Sequence, residues 1–137
     1  MHGKGHWSAS GTEKEALRAI RTSRVILARA GAEIVGTLSL GPRKPWAIAP
    51  EHFTPATRVL YLRDMAVAPA AQGYGVGRRL LAEAERVARA WPADAIRLDA
   101  YAGAVGAGEF YAKYGFKEVA RVVYRGTPLI YFELLLT

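Results

Sequence analysis

Apolar positions along this chain follow two periods, and the switches between them mark out its elements. Leu60-Tyr61-Leu62-Arg63-Asp64-Met65-Ala66-Val67 is a largely apolar run of strand length. Arg24 to Ala30 and Glu33 to Leu40 read as two further strands around a Gly31-Ala32 turn. Ala95 to Tyr101 reads as another strand, and Phe116 to Tyr124 and Leu129 to Leu136 as a final pair joined by Gly126-Thr127-Pro128. Between them the period becomes helical. From Arg78 onward Leu80, Leu81, Ala84, Val87, Ala88 and Trp91 share one face, with Arg79, Glu83, Arg86 and Arg89 on the other. Glu85 and Arg89 are spaced as a stabilising pair, and Pro92 stops the helix. Gly106 to Tyr114 is a shorter helix whose Ala107, Phe110, Tyr111 and Tyr114 share a face, closed by Gly115. Near the start, Thr12-Glu13-Lys14-Glu15 is a capping box ahead of Ala16, Leu17 and Ile20.

The predicted order is therefore α-ββ-β-α-β-α-ββ. That order describes an α/β (α+β) protein with one mixed sheet and helices packed against it, not an alternating doubly wound fold. The chain has 137 residues, 51% of them apolar. That is enough for one core and too little for two, so residues 1–137 are expected to form a single domain.

One junction carries chemistry. The strand ending at Val67 runs into Gln72-Gly73-Tyr74-Gly75-Val76-Gly77-Arg78, and that turn runs into the Arg78 helix. Glycines spaced by single residues let backbone approach an anion with no Cβ in the way. The unpaired N–H groups of a helix's first turn then face the charge. Such a turn suits a pyrophosphate. A Walker-type loop is excluded, because Arg78-Arg79 stand where it needs a Lys followed by Ser or Thr. Asp94 and Asp99 lie near the spacing of a dinucleotide-binding acidic residue, but the elements before Gln72 do not start a βαβ unit.

Charge and composition narrow the picture further. The formal net charge is +7, with the basic residues spread along the chain rather than clustered. No helix-turn-helix, RNA-recognition or zinc-finger signature accompanies them, so a dedicated nucleic-acid binder is not expected. The chain has no cysteine, which excludes a thiol nucleophile, and shows no metal-ligand spacing. Met1 to Gly11 holds no apolar core of signal-peptide or membrane-span length, and the cytoplasm is the expected location.

The order of elements and the glycine turn resemble the GNAT superfamily of acyl-CoA-dependent N-acyltransferases. Its signature is Gln or Arg, two free positions, Gly, one free position, then Gly or Ala, and Gln72, Gly75 and Gly77 match. A second signature matches at Ala107, Phe110-Tyr111 and Gly115-Phe116. The resemblance covers Thr12 to the C-terminus. It implies a mostly antiparallel sheet and acetyl-CoA as co-substrate, with no metal. The acetyl group would pass directly to a primary amine on a small molecule or protein, and a charged RNA is an alternative acceptor. Met65, Ala66 and Val67 would pair with pantetheine, and a backbone N–H near Met65 would stabilise the oxyanion. Amides from Gln72, Gly73, Tyr74, Gly75, Val76, Gly77 and Arg78 would hold the diphosphate. Arg78, Arg79, Lys113 and Lys117 sit where they could meet the ribose phosphate. Tyr111 matches the family's tyrosine that protonates the leaving thiolate.

The general base stays open at this level. Asp64 lies on the strand beside the acyl site, and strict strand alternation puts it on the face opposite Arg63 and Met65. Asp99 on the next strand is a second candidate, Glu51 with His52 in the Pro50–Pro55 loop a third, and a water chain could also serve. The acceptor site would be shaped by the N-terminal helices and the Pro42–Pro55 loop, and Trp46, Phe53 and Tyr61 suggest an aromatic lining.

The chain departs from the family pattern in three places. Met1 to Gly11 is too short for the usual opening strand and helix, so residues 1–11 are expected to be a flexible or truncated segment, leaving the Arg24 strand as an edge. Ala104 stands where many members have Asn, and the chain contains no Asn. Arg63 stands where some members carry a glutamate base. These departures keep a non-catalytic acyl-CoA-binding or regulatory domain in play, and a homodimer remains open.

Overall fold

The computed structural model describes residues 23–136. The helix expected at Thr12 to Ile20, and the Met1–Gly11 segment, lie outside the described residues. Six strands, β1 (Arg24–Ala30), β2 (Glu33–Gly41), β3 (Val59–Val67), β4 (Ala95–Tyr101), β5 (Lys117–Tyr124) and β6 (Thr127–Leu135), form one sheet. Their order is β1-β2-β3-β4-β6-β5, so β1 stands at an edge of the described sheet. Every neighbouring pair is antiparallel except β3 with β4. The helices α1 (Val76–Ala90) and α2 (Ala107–Tyr114) complete the expected mixed architecture.

Two boundaries shift for physical reasons. The last hairpin turns at Arg125-Gly126, with φ of 50° and 82°, and Thr127 already pairs with Tyr124. A two-residue turn that follows strand twist needs positive φ at both central positions, so the joint falls one residue earlier than Gly126-Thr127-Pro128 suggested. Helix α1 starts at Val76 rather than Arg78, capped by Gly75 in the left-handed region.

The sheet buries both faces. On one, Leu38, Leu40, Leu60, Leu62, Ile96 and Leu98 pack under Leu80, Leu81, Ala84 and Ala88 of α1. On the other, Tyr61, Leu129 and Tyr131 are covered by Ile48 and Phe53 from the β2–β3 connection. Phe53 stacks on Tyr131 at 5.1 Å, and Phe53 and Tyr61 are buried core residues, although Tyr61 also lines a separate cavity of about 450 Å³ beside Arg97 and Trp91. Trp46, the third aromatic of that reading, is 87% exposed.

Two buried charges that the sequence pattern did not reveal hold this connection down. Arg97 and Glu133 face each other across β4 and β6 and are 5% and 3% exposed. Glu133 accepts hydrogen bonds from the backbone N–H (3.0 Å) and hydroxyl of Thr54. Arg97 donates to the Thr54 carbonyl at 3.0 Å and lies 4.9 Å from the Phe53 ring centroid. A buried charge needs such partners, because desolvation without them would cost several kcal/mol, on the order of the fold's whole stability.

The feature that positions the site is the junction of β3 and β4. They pair only through Val59–Ala95, Leu60–Ile96 and Tyr61–Arg97, and then part. On its other edge β3 carries a bulge: Thr37 pairs with Ala66, but Ser39 pairs with Arg63. The extra residue lies in the segment with Asp64, whose φ is 56°. An aspartate tolerates this left-handed conformation better than most side chains. A bulge bends its strand, and here it accompanies the parting of β3 from β4.

Candidate active site

Where the two strands part, a cleft of about 270 Å³ opens between Leu62–Met65 of β3 and Leu98–Tyr101 of β4. A larger cavity of about 550 Å³ lies over the end of β3, the glycine turn and the start of α2. Met65, Ala107 and Tyr111 line both, so the two spaces meet at these residues.

The glycine turn and the start of α1 form one wall of the larger cavity. Pro69–Ala71 forms a short 3-10 turn, and the Gln72 side-chain amide donates to the Val67 carbonyl at 3.2 Å, tying the turn to its strand. Gly73 and Gly75 have φ of 86° and 80°, a region that glycine enters without steric cost. No side chain caps α1, and its first intrahelical bond runs from Arg79 N–H to the Gly75 carbonyl at 3.1 Å. The amides ahead of it are the donors a helix start offers to an anion.

The third glycine also has a packing task. Gly77 lies inside α1, and a Cβ there would come within 2.8 Å of Phe110 Cζ and 3.5 Å of Met65 Cε. Gly77→Val is accordingly expected to destabilise the protein by about 1–3 kcal/mol through overpacking. Denaturant unfolding would measure this, and an unchanged midpoint would mean that Phe110 gives way freely.

All the residues expected to hold the co-substrate line this cavity except Tyr74, which is 75% exposed and outside it. The turn directs that side chain to solvent. Of the four expected cations only Arg78 lines the cavity, its guanidinium 5.7 Å from the Tyr114 ring centroid; Arg79, Lys113 and Lys117 are exposed. The Tyr114 hydroxyl donates to Glu85 at 2.7 Å, which also receives Arg89, and so braces α2 against α1. Val105, Gly106 and Phe110 also line the cavity, although the sequence reading gave them no binding role.

At the meeting point, the Tyr111 hydroxyl lies 3.6 Å from Met65 Sδ. Its ring packs against Phe110, Phe116 and Phe132. Burial, together with the nearby Asp99 carboxylate, pushes the Tyr111 phenol up to about 12. Asp99 is half-buried in the cleft, and burial raises its carboxyl above the ordinary aspartate range against a smaller opposing effect of its own backbone N–H.

The bulge overturns the simple alternation argument for Asp64. Asp64 lines the same cleft as Arg63 and Met65, because the extra residue breaks the strand's two-residue phase. Met65 and Val67, beyond the bulge, pack against the helix-side core. Tyr61, ahead of it, packs in the opposite cluster. His52 instead packs edge-on against Tyr131 at 5.7 Å, and neither Glu51 nor His52 lines the cleft or the larger cavity. Among the described residues no cluster of His, Cys, Asp or Glu could hold a metal ion, and no helix is long and apolar enough to cross a membrane.

Comparison with known proteins places this architecture. The model of the acetyltransferase (GNAT) family matches residues 5–116. The chain belongs to the GNAT acetyltransferase family. No curated protein sequence matches it. Among solved structures it is similar to a Desulfovibrio desulfuricans protein described as a GNAT-family acetyltransferase. The two are 25% identical with a TM-score of 0.68, over 95% of this chain and 86% of that one. It is also similar to a Bacillus anthracis protein described as a streptothricin acetyltransferase, in complex with acetyl coenzyme A. There the identity is 25% and the TM-score 0.69, over 84% of this chain and 63% of that one. A GNAT-family acetyltransferase from Elizabethkingia anophelis with acetyl-CoA bound shares the fold at 19% identity and TM-score 0.66, over 91% and 84% of the two chains.

Proposed function

We propose that this protein transfers the acetyl group of acetyl-CoA directly to a primary amine. The observation that carries the reading is the meeting of the cavity over the glycine turn and a polar cleft at Met65 and Tyr111. Acetyl-CoA in the GNAT relatives supports assigning the larger cavity to the donor.

In this reading the amides from Gln72 to Arg78 hold the diphosphate, and Arg78 adds charge. The edge of β3 beyond Tyr61 is not paired with β4, so its backbone groups are free to bind the amide groups of pantetheine as a neighbouring strand would. A backbone N–H near Met65 stabilises the oxyanion. The amine enters by the cleft and attacks the thioester carbon. A C–N bond forms, the C–S bond breaks, and Tyr111 gives its proton to the departing thiolate. Asp99, directly or through water, takes one of the two protons the ammonium group loses on becoming an amide, and the other returns Tyr111 to its phenol form. Asp99 is half-buried in the cleft, where burial raises its carboxyl above the ordinary value, whereas Asp64 is exposed on the bulge.

The test combines calorimetric titration with CoA and thiol release from acetyl-CoA across a panel of primary amines. Binding of CoA with amine-dependent thiol release is the expected outcome. Binding without release would favour a non-catalytic acyl-CoA-binding domain, and no binding would reject the donor assignment.

A further inference from the structure

On the cleft side of the sheet, Tyr61 and Arg97 are the last partners before β3 and β4 part. Two residues further along each strand come Arg63 and Asp99, both ahead of or clear of the bulge and both lining the cleft. Strand alternation puts Arg63 on the face of Tyr61 and Asp99 on the face of Arg97. Continued pairing in the same register would have set the two opposite charges side by side. The parted strands hold them apart instead.

Among the described residues the ion pairs are Arg86–Glu83, Arg89–Glu85 and Arg121–Glu118, and neither Arg63 nor Asp99 takes part. Arg63 is half-buried, yet among the described residues it has no hydrogen-bond or ion-pair partner. Its guanidinium lines the cleft with no protein partner among the described residues, and its planar fork suits a carboxylate. Asp64, on the bulge, is exposed, so solvent and salt screen it.

We infer that the acceptor is a small amino acid, with Arg63 receiving its carboxylate and Asp99 its ammonium group across the gap. This rests on the acetyl-transfer reading for the role of the cleft, and it adds the class of acceptor. The cleft's volume of about 270 Å³ suits a molecule of that size. A primary amine without an acid group would leave Arg63 unpaired, and a peptide N-terminus would bring no carboxylate beside its amine.

The test is calorimetric titration of the CoA-saturated protein with the common free α-amino acids and, in matched pairs, their α-carboxamides. The expected result is an acid that binds about 10-fold to 100-fold more tightly than its amide, the range of a charge-assisted bidentate contact. Arg63→Gln should level acid and amide, and Arg63→Lys should keep part of the difference. The inference is overturned if no free amino acid binds, if the amide binds as well as the acid, or if the preference survives in R63Q. Thiol release separates this from the reading beneath it. Acid-selective binding without thiol release would reject acetyl transfer and keep the acceptor cradle. Equal turnover of amino acids and their decarboxylated amines would keep transfer and reject the cradle.

Discussion

Tyr111→Phe is expected to lower kcat, with acetyl-CoA and acceptor both saturating, by roughly 100-fold, the low end of the range for general acid catalysis. The variant removes one oxygen and keeps the ring, so contacts with Phe110, Phe116 and Phe132 persist. CoA affinity and thermal stability should therefore move little, and a change confined to kcat is the signature sought. Burial and Asp99 push the phenol up to about 12, so Tyr111 keeps its proton throughout the neutral and mildly alkaline range. Its contribution should show no pH dependence of its own there. An unchanged kcat would take Tyr111 out of the mechanism and leave it as a core aromatic.

Asp99→Asn should cost roughly 100-fold or more in kcat/KM while making the folded protein more stable at neutral pH. The two effects share one cause. Burial raises the Asp99 pKa in the folded state above its unfolded value, so the folded chain holds that proton more tightly. Stability associated with this group is thus fully present below the unfolded pKa, near 3.8. It is lost as pH rises through the folded value. An uncharged amide escapes that loss. The stability advantage of D99N over the parent should open above about pH 4 and level off once Asp99 is ionised in both states. Melting curves across that window, beside kinetics at neutral pH, check both halves. A variant that is slow but no more stable would mean that Asp99 has a partner offsetting its burial. A variant that is stable and fully active would point to Asp64 or water as the base.

Much of this fold was legible because the apolar periods are long. The Arg78 helix, the β1–β2 hairpin and the last two strands announce themselves through spacing alone, and the glycine turn marks where strand becomes helix. The glycine-turn cavity was readable for the same reason: Gly73 and Gly75 are needed for a backbone shape that few other residues allow. The acceptor side was not readable. Arg97 and Glu133 look like surface charges in a list of residues and are buried only because Thr54 comes back across the sheet to meet them. Phe53 could line a pocket or fill a core, and only the placement of the β2–β3 connection decides between these. Arg63, seen from the sequence, is merely a residue where a glutamate would have served as base. It becomes informative once β3 and β4 are known to separate just before it.

The bulge near Asp64 has a consequence beyond bending a strand. It works as a one-residue frame shift between two surfaces written on a single segment of chain. Ahead of it the odd-numbered Tyr61 points away from the helices, and behind it the odd-numbered Met65 and Val67 point toward them. Side chains on the face away from the helices can therefore be exchanged during divergence without altering the wall of the larger cavity. Removing the extra residue would do the opposite, turning Met65 and Val67 away from the helices.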